Sequence, residues 1–503
     1  MMNTVIDTHS YRQARIWFAL FCLMHLIFWL LAPTLLYHNP PTDSLEGIAW
    51  GNLWLWGYEK HPFLAPWLTA WATNMTGVVG WPIYLLSQLS VLICFWATWR
   101  LANKILSPWL ALISVVLLEG INYYNLQATI FDPNILMLPL WALTILSFYN
   151  AVSLQKTRDW ILTGIFAGLA MDSKYESVLL FIILFSVLLM SPEGRRSFNH
   201  SGFYLGIIIA FLVFLPNLYW LYQHHFDAVN YAIGELSTNK LAHLPKIVRP
   251  FYQSGIFLVE QIGNIIPALI LYLPFYSATK DTSKITQFNL RFLLLLGLGP
   301  LALTILLCLT TDTHLVSRWS YPFFSVLGLL WLAWQKPVVT KYRLKIFAIL
   351  VVAFNILLLL AMTFYFILLP IFTGKSKHSD SFPGENIALA LTQQWHAYYH
   401  QPLPYIAGTH HVVVNIAAFS PDKPIAYFNW DPTQSPWINE NNLRVKGAIF
   451  VFWLGDLNQL IPIEQRYPNL QHITIEDFNR ATLAKVPPIK IWVAFLPPAG
   501  TLK

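Results

Sequence analysis

The sequence predicts a mainly α-helical protein that crosses a membrane many times and ends in a small α/β domain. Two observations predict the membrane part: 56% of the 503 residues are hydrophobic, and only 11% are charged. A soluble domain carries roughly a quarter charged residues. A third observation predicts the α/β domain, since short runs rich in β-branched and aromatic residues follow Phe372.

The membrane part is predicted to contain about eleven helices, because that many apolar runs span or nearly span a bilayer. These runs begin near Arg15, Trp81, Pro108, Pro133, Trp160, Tyr175, Phe203, Ser254, Arg291, Trp319 and Lys345. With the N-terminus inside, fifteen lysines and arginines fall in inner loops and six in outer loops before Phe372. This bias predicts a cytoplasmic N-terminus, and an odd helix number then places the C-terminal domain outside.

The predicted boundary gives a transmembrane domain, residues 1–372, and a C-terminal α/β domain, residues 373–503. In the second domain Asn386–Tyr399 is a predicted helix. The predicted strands are Pro404–Ala407, Val412–Ala418, Ile425–Phe428, Ala448–Trp453, His472–Ile475 and Ile489–Phe495. No basic helix or RNA-binding motif is present, so nucleic acid is not an expected partner. No P-loop or dinucleotide fingerprint is present, so no nucleotide cofactor is expected.

The first outer loop concentrates charge in a very apolar chain. Charged groups at a membrane boundary are costly unless water, partners or a function keep them there. Asp43 and Glu46 are three residues apart, so a helix would place both on one face. A cavity-facing Asp43 would act as a base, whereas a helix starting there would make it an N-cap. The residues leave both interpretations open.

The segment Glu59-Lys60-His61-Pro62 follows in the same loop. Lys60 is suited to neutralising a phosphate, and Glu59 or His61 to binding a divalent cation. The alternative is an interfacial turn whose charges extend to water. Proline after histidine favours an extended entry into the next helix.

Later outer loops add further candidates. Asp132 precedes Pro133, and this pair either supplies a second carboxylate or simply starts a helix. Lys174, followed by Tyr175, is either solvated or holds an anion. His314 lies one helical turn before Arg318, whose forked guanidinium suits a phosphate. Other polar residues of these loops are Glu119, His224, His225 and Asp227, of which the histidines are candidate metal ligands.

At these residues the chain resembles the GT-C-type glycosyltransferases that use polyprenyl-phosphate sugars. The most similar patterns are those of bacterial protein O-mannosyltransferases and lipid A aminoarabinose transferases. The resemblance covers most of the membrane domain. It rests on Asp43, residues 56–62 with Leu64 and Trp67, Asp132-Pro133, residues 168–175, residues 216–220 with residues 224–226, and residues 318–322.

The resemblance implies roles for these residues. Asp43 would be the catalytic base and Asp132 a second carboxylate in the cavity. The donor phosphate would lie near four residues, which are Lys60, Lys174, Tyr175 and Arg318. Glu59 and His225 would be metal ligands, while Glu46, His61, His224 and His314 would complete the cavity. Many relatives have adjacent Asp-Glu in the first loop and His-Pro-Pro after it. Here Ser44 follows Asp43 and Phe63 follows Pro62, so the partner carboxylate of Asp43 stays open.

The predicted function is transfer of a sugar from a polyprenyl-phosphate donor to a cell-envelope acceptor, with inversion, at the periplasmic face of a bacterial inner membrane. The acceptor would be lipid A, polysaccharide or protein, and a divalent metal ion is the one cofactor left open. The main alternative is a transporter or flippase, although the ionisable residues gather on one side and no repeat is visible. A scaffold with an exposed receptor domain is a third interpretation.

Overall fold

The computed structural model describes residues 8–237, 241, 243–276, 279, 281, 284–376, 379–454 and 460–500. Helices dominate the first three quarters of the chain. They are α1 Thr8–Leu36, α2 Thr42–Gly51, α3 Leu64–Thr76, α4 Trp81–Ile105, α5 Pro108–Val116, α6 Pro133–Leu154, α7 Thr157–Ser173, α8 Val178–Met190, α9 Pro192–Arg196, α10 Ser201–Gln223, α11 Asp227–Ser237, α12 Arg249–Tyr276, α13 Gln287–Thr311, α14 Leu327–Gln335, α15 Lys341–Thr363 and α16 Leu369–Thr373. A π-helical turn, Phe364–Leu368, joins α15 to α16, and 3₁₀ segments include Leu117–Gly120, Asn122–Tyr124, Leu126–Thr129, Tyr175–Ser177 and Ser317–Phe324.

Seven helices in the described part of the chain are long and apolar enough to cross a membrane. They are α1, α4, α6, α10, α12, α13 and α15 with its continuation to Thr373. Two bent pairs, residues 108–129 and 175–199, raise the number to nine if each counts as one span. The chain is thus a multi-span membrane protein, but the predicted count of eleven is not confirmed. The run near Trp160 forms the 17-residue α7, and the run near Trp319 divides into a 3₁₀ segment and the nine-residue α14.

A buried polar network links several of the membrane helices. His25 in α1 contacts Glu119 through Nδ1 at 2.7 Å and Gln88 of α4 through Nε2 at 3.0 Å. The indole of Trp29 donates to the other oxygen of Glu119 at 2.9 Å and to Asn355 of α15 at 3.1 Å. The sequence grouped Glu119 with the outer-loop polar residues, but its side chain is fully buried. Polar groups in such surroundings are held by mutual hydrogen bonds, so this network fixes the packing of α1.

The C-terminal part contains the only strands in the described residues, and they form one five-stranded sheet. The strands are β1 Tyr405–Gly408, β2 Ile425–Phe428, β3 Ala448–Trp453, β4 Gln471–Phe478 and β5 Ile489–Leu496, in the order β2-β1-β3-β5-β4. β1 is parallel to both β2 and β3, while β5 is antiparallel to β3 and β4. The helices of this part are α17 Gly384–Tyr399, α18 His410–Phe419, α19 Glu440–Lys446 and α20 Leu460–Arg466. The predicted C-terminal α/β arrangement is confirmed.

One predicted strand of this part is wrong. The run Val412–Ala418 is rich in β-branched residues, yet it lies inside helix α18. The reason is topological, because parallel β1 and β2 are joined by a crossover, and such a crossover is usually a helix. Seven residues of α18 are buried, so packing outweighs local strand preference.

The C-terminal sheet packs against the membrane part through α2. The ring of Phe428, at the end of β2, lies 6.3 Å from Trp50 of α2, and Trp437 lies 6.4 Å from Tyr58. The hydroxyl of Thr42 is 3.0 Å from Nδ1 of His411 in α18. The segment of residues 42–62 is therefore enclosed between the membrane helices and the C-terminal sheet.

Candidate functional site

Helix α2 presents two carboxylates to a cavity. It begins at Thr42 after Pro41, and Asp43 and Glu46 lie on successive turns of one face. Pro41 is the N-cap residue and no side chain caps the helix, so Asp43 does not have the N-cap position. The hydroxyl of Ser44 holds the helix in place, since it donates to the carbonyl of Phe131 at 3.0 Å and accepts from the same residue's amide at 3.1 Å.

The segment after α2 folds back on it as a tight turn. Gly57 and Pro62 form an isolated β-bridge, and the amide of Tyr58 donates to the carbonyl of His61 at 3.0 Å. A Cβ on Gly57 would lie 2.3 Å from the ring of Trp220, so no larger residue fits there without displacing α10. This close approach brings together residues 56–62 and residues 216–220, which are separate parts of the sequence resemblance.

The turn directs Lys60 into the cavity rather than towards water. Its ammonium donates to Oε1 of Glu46 at 2.8 Å and lies 5.6 Å from the ring of Trp50 and 5.9 Å from that of Tyr231. The Lys60 side chain is 21% exposed. The alternative of a charge that extends to solvent is therefore wrong for Lys60.

Asp132 opens α6 as its N-cap, with Pro133 at the first helical position. One carboxylate oxygen accepts from the amide of Ile135 at 3.0 Å, and the other accepts from the Asn134 side chain at 2.7 Å. The capping interpretation left open by the sequence is thus confirmed. Because Asp132 also lines the cavity, the cap does not remove its carboxylate from the site.

A second lysine lies on the same wall. Lys174 donates to the carbonyl oxygen of the Asn134 side chain at 2.7 Å and to Glu176 at 2.8 Å. Its ammonium lies 5.0 Å from the ring of Trp319, and its side chain is 11% exposed. Asp132 orients Asn134, and Asn134 in turn orients Lys174.

Arg318 is the third cation that lines the cavity. It lies in the 3₁₀ segment Ser317–Phe324, and its guanidinium donates to Oδ2 of Asp43 at 3.3 Å. Both side chains remain accessible within the cavity, Arg318 at 58% and Asp43 at 45%. The pair brings together residues 275 positions apart in the sequence.

These side chains line one cavity of about 380 Å³. The predicted residues that it collects are Asp43, Glu46, Lys60, His61, Asp132, Lys174, Tyr175 and Arg318. Its other walls are largely apolar and include Phe131, Leu179, Phe257 and Phe323. Each of the three cations contacts one carboxylate, with Lys60 on Glu46, Lys174 on Glu176 and Arg318 on Asp43. An enclosed, partly apolar space lowers the effective dielectric, which strengthens these charges.

The environment of Asp43 raises its pKa to about 6, well above that of an ordinary aspartate. The main cause is burial, because the protein surrounds the water-accessible carboxylate on most sides. The charges of Asp132 and Glu46 act in the same direction, and those of Arg318 and Lys60 oppose them. Asp43 is therefore ionised at neutral pH but has a proton affinity useful to a base.

The neighbouring groups are fixed in single charge states. Burial would raise the pKa of Glu46, but Lys60 and His410 outweigh it and lower the pKa to about 2. Burial would lower the pKa of Lys60, but Glu46 outweighs it and raises that pKa. Burial, together with the charge of Lys174, lowers the pKa of His61 to about 3. His61 is consequently neutral and faces the cavity as a hydrogen-bonding group.

Four predicted residues do not line this cavity. Glu59 is buried beside it, and burial raises its pKa to about 8. His224 stacks on Trp220 at 4.1 Å, and His225 is exposed with a φ of 50°. The backbone amide of His314 donates to the carbonyl of Leu236 at 2.6 Å.

The predicted metal ligands were Glu59 and His225. Among the described residues no group of three or more His, Cys, Asp or Glu side chains is arranged to hold a metal ion. The described residues therefore do not fit the predicted metal site, and the proposed chemistry does not use a metal ion.

Sequence reasoning missed several groups of the site. Asn134, Tyr231 and Trp319 line the cavity, and His410 contacts Glu46 through Nε2 at 2.7 Å. Asn134 could have been predicted, because it directly follows the Asp132-Pro133 motif. His410 could not, because it lies 364 positions from Glu46 in the sequence and in a different predicted domain.

Comparisons with known proteins agree with this architecture. A family model described as dolichyl-phosphate-mannose-protein mannosyltransferase matches residues 60–220. The lipopolysaccharide core galacturonosyltransferase RgtA of Rhizobium johnstonii is 21% identical over 333 residues, which cover 65% of this chain and 65% of RgtA. The crystal structure of ArnT from Cupriavidus metallidurans bound to undecaprenyl phosphate matches with a TM-score of 0.62 at 13% identity, over 97% of this chain and 99% of ArnT. The apo structure of the same protein gives 0.61 at 13% identity, over 96% and 98%.

The chain has the GT-C glycosyltransferase fold. The predicted resemblance to this class is thereby confirmed. Within the GT-C fold, the family-model match begins at Lys60 and includes Asp132, Lys174 and Tyr175. Asp43 and Arg318 lie outside it, so their places in the cavity rest on the geometry described above.

Proposed function

We propose that the protein transfers a sugar from a polyprenyl-phosphate donor to a cell-envelope acceptor, with Asp43 as the base. The observation that carries this proposal is one cavity lined both by three cations, Lys60, Lys174 and Arg318, and by the Asp43 carboxylate, whose pKa is raised. Related proteins support the choice of donor, since the ArnT structure contains undecaprenyl phosphate. RgtA supports an envelope acceptor, since its name describes a lipopolysaccharide core glycosyltransferase.

The three cations would bind the donor phosphate. Lys60 and Lys174 are mostly buried, and their carboxylate partners hold them in place before the donor arrives. The leaving phosphate gains negative charge as its bond to the sugar breaks, and preorganised cations stabilise that gain. The guanidinium of Arg318 adds a two-pronged contact to phosphate oxygens. The apolar wall would accommodate the first isoprene units of the lipid.

The proposed reaction is a single displacement. A lone pair of the acceptor hydroxyl or amine forms a bond to the anomeric carbon of the sugar. The bond from that carbon to the phosphate oxygen breaks, and its electron pair leaves with the polyprenyl phosphate. Asp43 accepts the proton of the acceptor group. One displacement with one base inverts the anomeric centre.

The Asp43–Arg318 contact would change when the donor binds. Arg318 can turn from the carboxylate to the phosphate, since both side chains of the 3.3 Å pair are accessible. Asp43 then loses its cationic partner, which raises its proton affinity when the acceptor must be deprotonated. Donor binding would thus activate the base.

The acceptor would enter through a second cavity of about 530 Å³. Pro41, Thr129 and Ile130 line this space, while their near neighbours Asp43, Phe131 and Asp132 line the first cavity. Neighbouring stretches of the chain therefore line the two cavities, although no residue lines both. Replacing Ala361, which lines only the second cavity, by Trp should raise the KM for acceptor and leave undecaprenyl phosphate binding unchanged. A change in donor binding alone would contradict this route.

We further propose that the reaction takes place at the periplasmic face of a bacterial inner membrane, with the N-terminus cytoplasmic and residues 373–503 forming a periplasmic domain. The excess of lysine and arginine in the predicted inner loops supports this orientation. A reporter fused after Phe372 tests this orientation. Activity of a reporter that functions only in the cytosol would contradict it.

The test of the proposed function compares envelope lipids from cells with and without the protein by mass spectrometry. We expect one lipid or glycolipid species to carry a sugar-sized mass increment in the presence of the protein alone. Cells that express Asp43→Asn should lose the increment, although the variant should still bind undecaprenyl phosphate. Identical envelope profiles in all three strains would contradict transferase activity.

A further inference from the structure

Glu46 is held by a residue from the opposite end of the chain. Its Oε1 atom contacts Nε2 of His410 at 2.7 Å and the ammonium of Lys60 at 2.8 Å. Both contacts are to the same oxygen, and Glu46 is almost fully buried. Lys60, Glu46 and His410 therefore form one hydrogen-bonded unit. The unit connects the cavity to the C-terminal sheet.

The position of His410 follows from the topology of the sheet. β1 lies between β2 and β3 and is parallel to both, so the chain reverses its direction of winding at β1. In open α/β sheets, ligands bind beyond the carboxyl ends of the strands at such a point. Gly408 ends β1 with a φ of 131°, and a Cβ there would lie 1.8 Å from the carbonyl oxygen of Val451. Helix α18 then begins at His410.

In this protein the segment at that edge is helix α2. His410 contacts Glu46, and the adjacent His411 contacts the hydroxyl of Thr42 at 3.0 Å. A carboxylate lies near the first turn of α18, where the positive end of the helix dipole favours an anion. The edge that usually holds a ligand therefore holds the Glu46 carboxylate of the site.

The sheet also supports the surface on which Lys60 rests. The ring of Phe428 packs on the His410 ring at 4.7 Å and on Trp50 at 6.3 Å, and Trp50 is the ring beneath Lys60. Two of the neighbours of Lys60, the Glu46 carboxylate and the Trp50 ring, thus contact the C-terminal part. A remote receptor domain would not make these contacts.

We propose that His410 is a positioning residue for the donor site, and that the C-terminal sheet completes this site. His410 fixes the Glu46 carboxylate so that the oxygen shared with Lys60 aims the ammonium at the donor phosphate. This inference rests on the proposed function, because it assigns a phosphate to Lys60. It goes beyond that function by giving the C-terminal part a role in donor binding.

The test measures binding of undecaprenyl phosphate to purified full-length protein in nanodiscs. His410→Ala should weaken binding roughly tenfold, the order expected for one hydrogen bond to a charged group. His410→Gln keeps a side-chain N–H donor and should recover most of the affinity. The matched control is His396→Ala, because His396 contacts Asp422 at 2.6 Å in the same C-terminal part, outside the cavity. This control should bind like the wild type.

Two readouts separate positioning from general stability. The unfolding temperatures of His410→Ala and His396→Ala should be similar, since both lose one histidine–carboxylate contact. With the transfer assay, His410→Ala should raise the KM for donor more than it lowers kcat. Wild-type affinity in His410→Ala, or equal losses in His410→Ala and His410→Gln, would overturn the inference. If the wild type itself fails to bind undecaprenyl phosphate, the proposed function fails instead.

Discussion

Asp43→Asn is the substitution that best separates catalysis from stability. The change keeps the size of the side chain and removes its ability to accept a proton. A positioned general base contributes roughly 10²–10⁴ in rate. This corresponds to about 2.7–5.5 kcal/mol of activation free energy. We therefore expect the transfer rate to fall by that factor while donor binding persists.

The expected effect on stability is much smaller. The carboxylate contacts Arg318 at 3.3 Å with side chains 45% and 58% exposed. Accessible pairs of this kind contribute about 0.2–1 kcal/mol. Burial raises the pKa of Asp43 to about 6, so the folded protein holds the ionised carboxylate less favourably than water does, although this form still prevails at neutral pH. Removing the charge relieves that cost, and the free energy of unfolding should change by less than about 1 kcal/mol.

The assay is sugar transfer to envelope lipids, measured by mass spectrometry alongside the unfolding temperature in detergent. Asp477→Asn is the matched control, because Asp477 forms an accessible ion pair with Lys490 at 3.5 Å outside the cavity. This control should retain full activity. Substantial transfer by purified Asp43→Asn would refute the assignment of the base.

The pH dependence gives a second view of the same residue. Because a protonated carboxyl cannot accept a proton, the wild-type kcat/KM should fall as pH drops below the Asp43 pKa of about 6 in the free enzyme. The fall should approach roughly tenfold per pH unit. The residual activity of Asp43→Asn should lack this acid limb, and a limb that persists unchanged would assign it to another group.

Two further substitutions test the supports of the site. Asp132→Asn should preserve the cap of α6 but lower the activity, because its amide nitrogen cannot accept the hydrogen bond from Asn134 that orients Lys174. Asp132→Ala should in addition cost about 1 kcal/mol of unfolding free energy, measured by denaturation in detergent. Equal stability of the two variants would contradict the capping role. His25→Ala should lower the free energy of unfolding by about 1–3 kcal/mol, because it removes the partner of one oxygen of the buried Glu119 while Trp29 still donates to the other. An unchanged unfolding temperature would contradict the importance of this network.

Much of the fold was predictable from the sequence because long apolar runs leave few alternatives in a membrane. The starts of α4, α6 and α10 lie within two residues of the predicted ones. The span count was less predictable, since hydropathy does not show where a run bends or stops short. The pair at residues 108–129 bends by 90°, and α7 is only 17 residues long.

Parts of the site were predictable for a different reason. Asp43, Lys60 and Arg318 are charged residues in an apolar chain, and such residues stand out wherever they lie. Their pairing was not predictable, because Arg318 contacts Asp43 across 275 residues and no local pattern records that contact. The contact of His410 with Glu46 was not predictable either, because it depends on how the C-terminal sheet packs on α2.

Binding of undecaprenyl phosphate tests the central claim most directly. Purified wild-type protein, Lys60→Ala and Arg318→Ala would be compared by native mass spectrometry with undecaprenyl phosphate and with undecaprenol. The account predicts that the wild type binds the phosphate in clear preference to the alcohol. It also predicts that each substitution weakens phosphate binding by roughly tenfold or more while the alcohol is unaffected. Equal binding of the phosphate and the alcohol by the wild type would contradict the account.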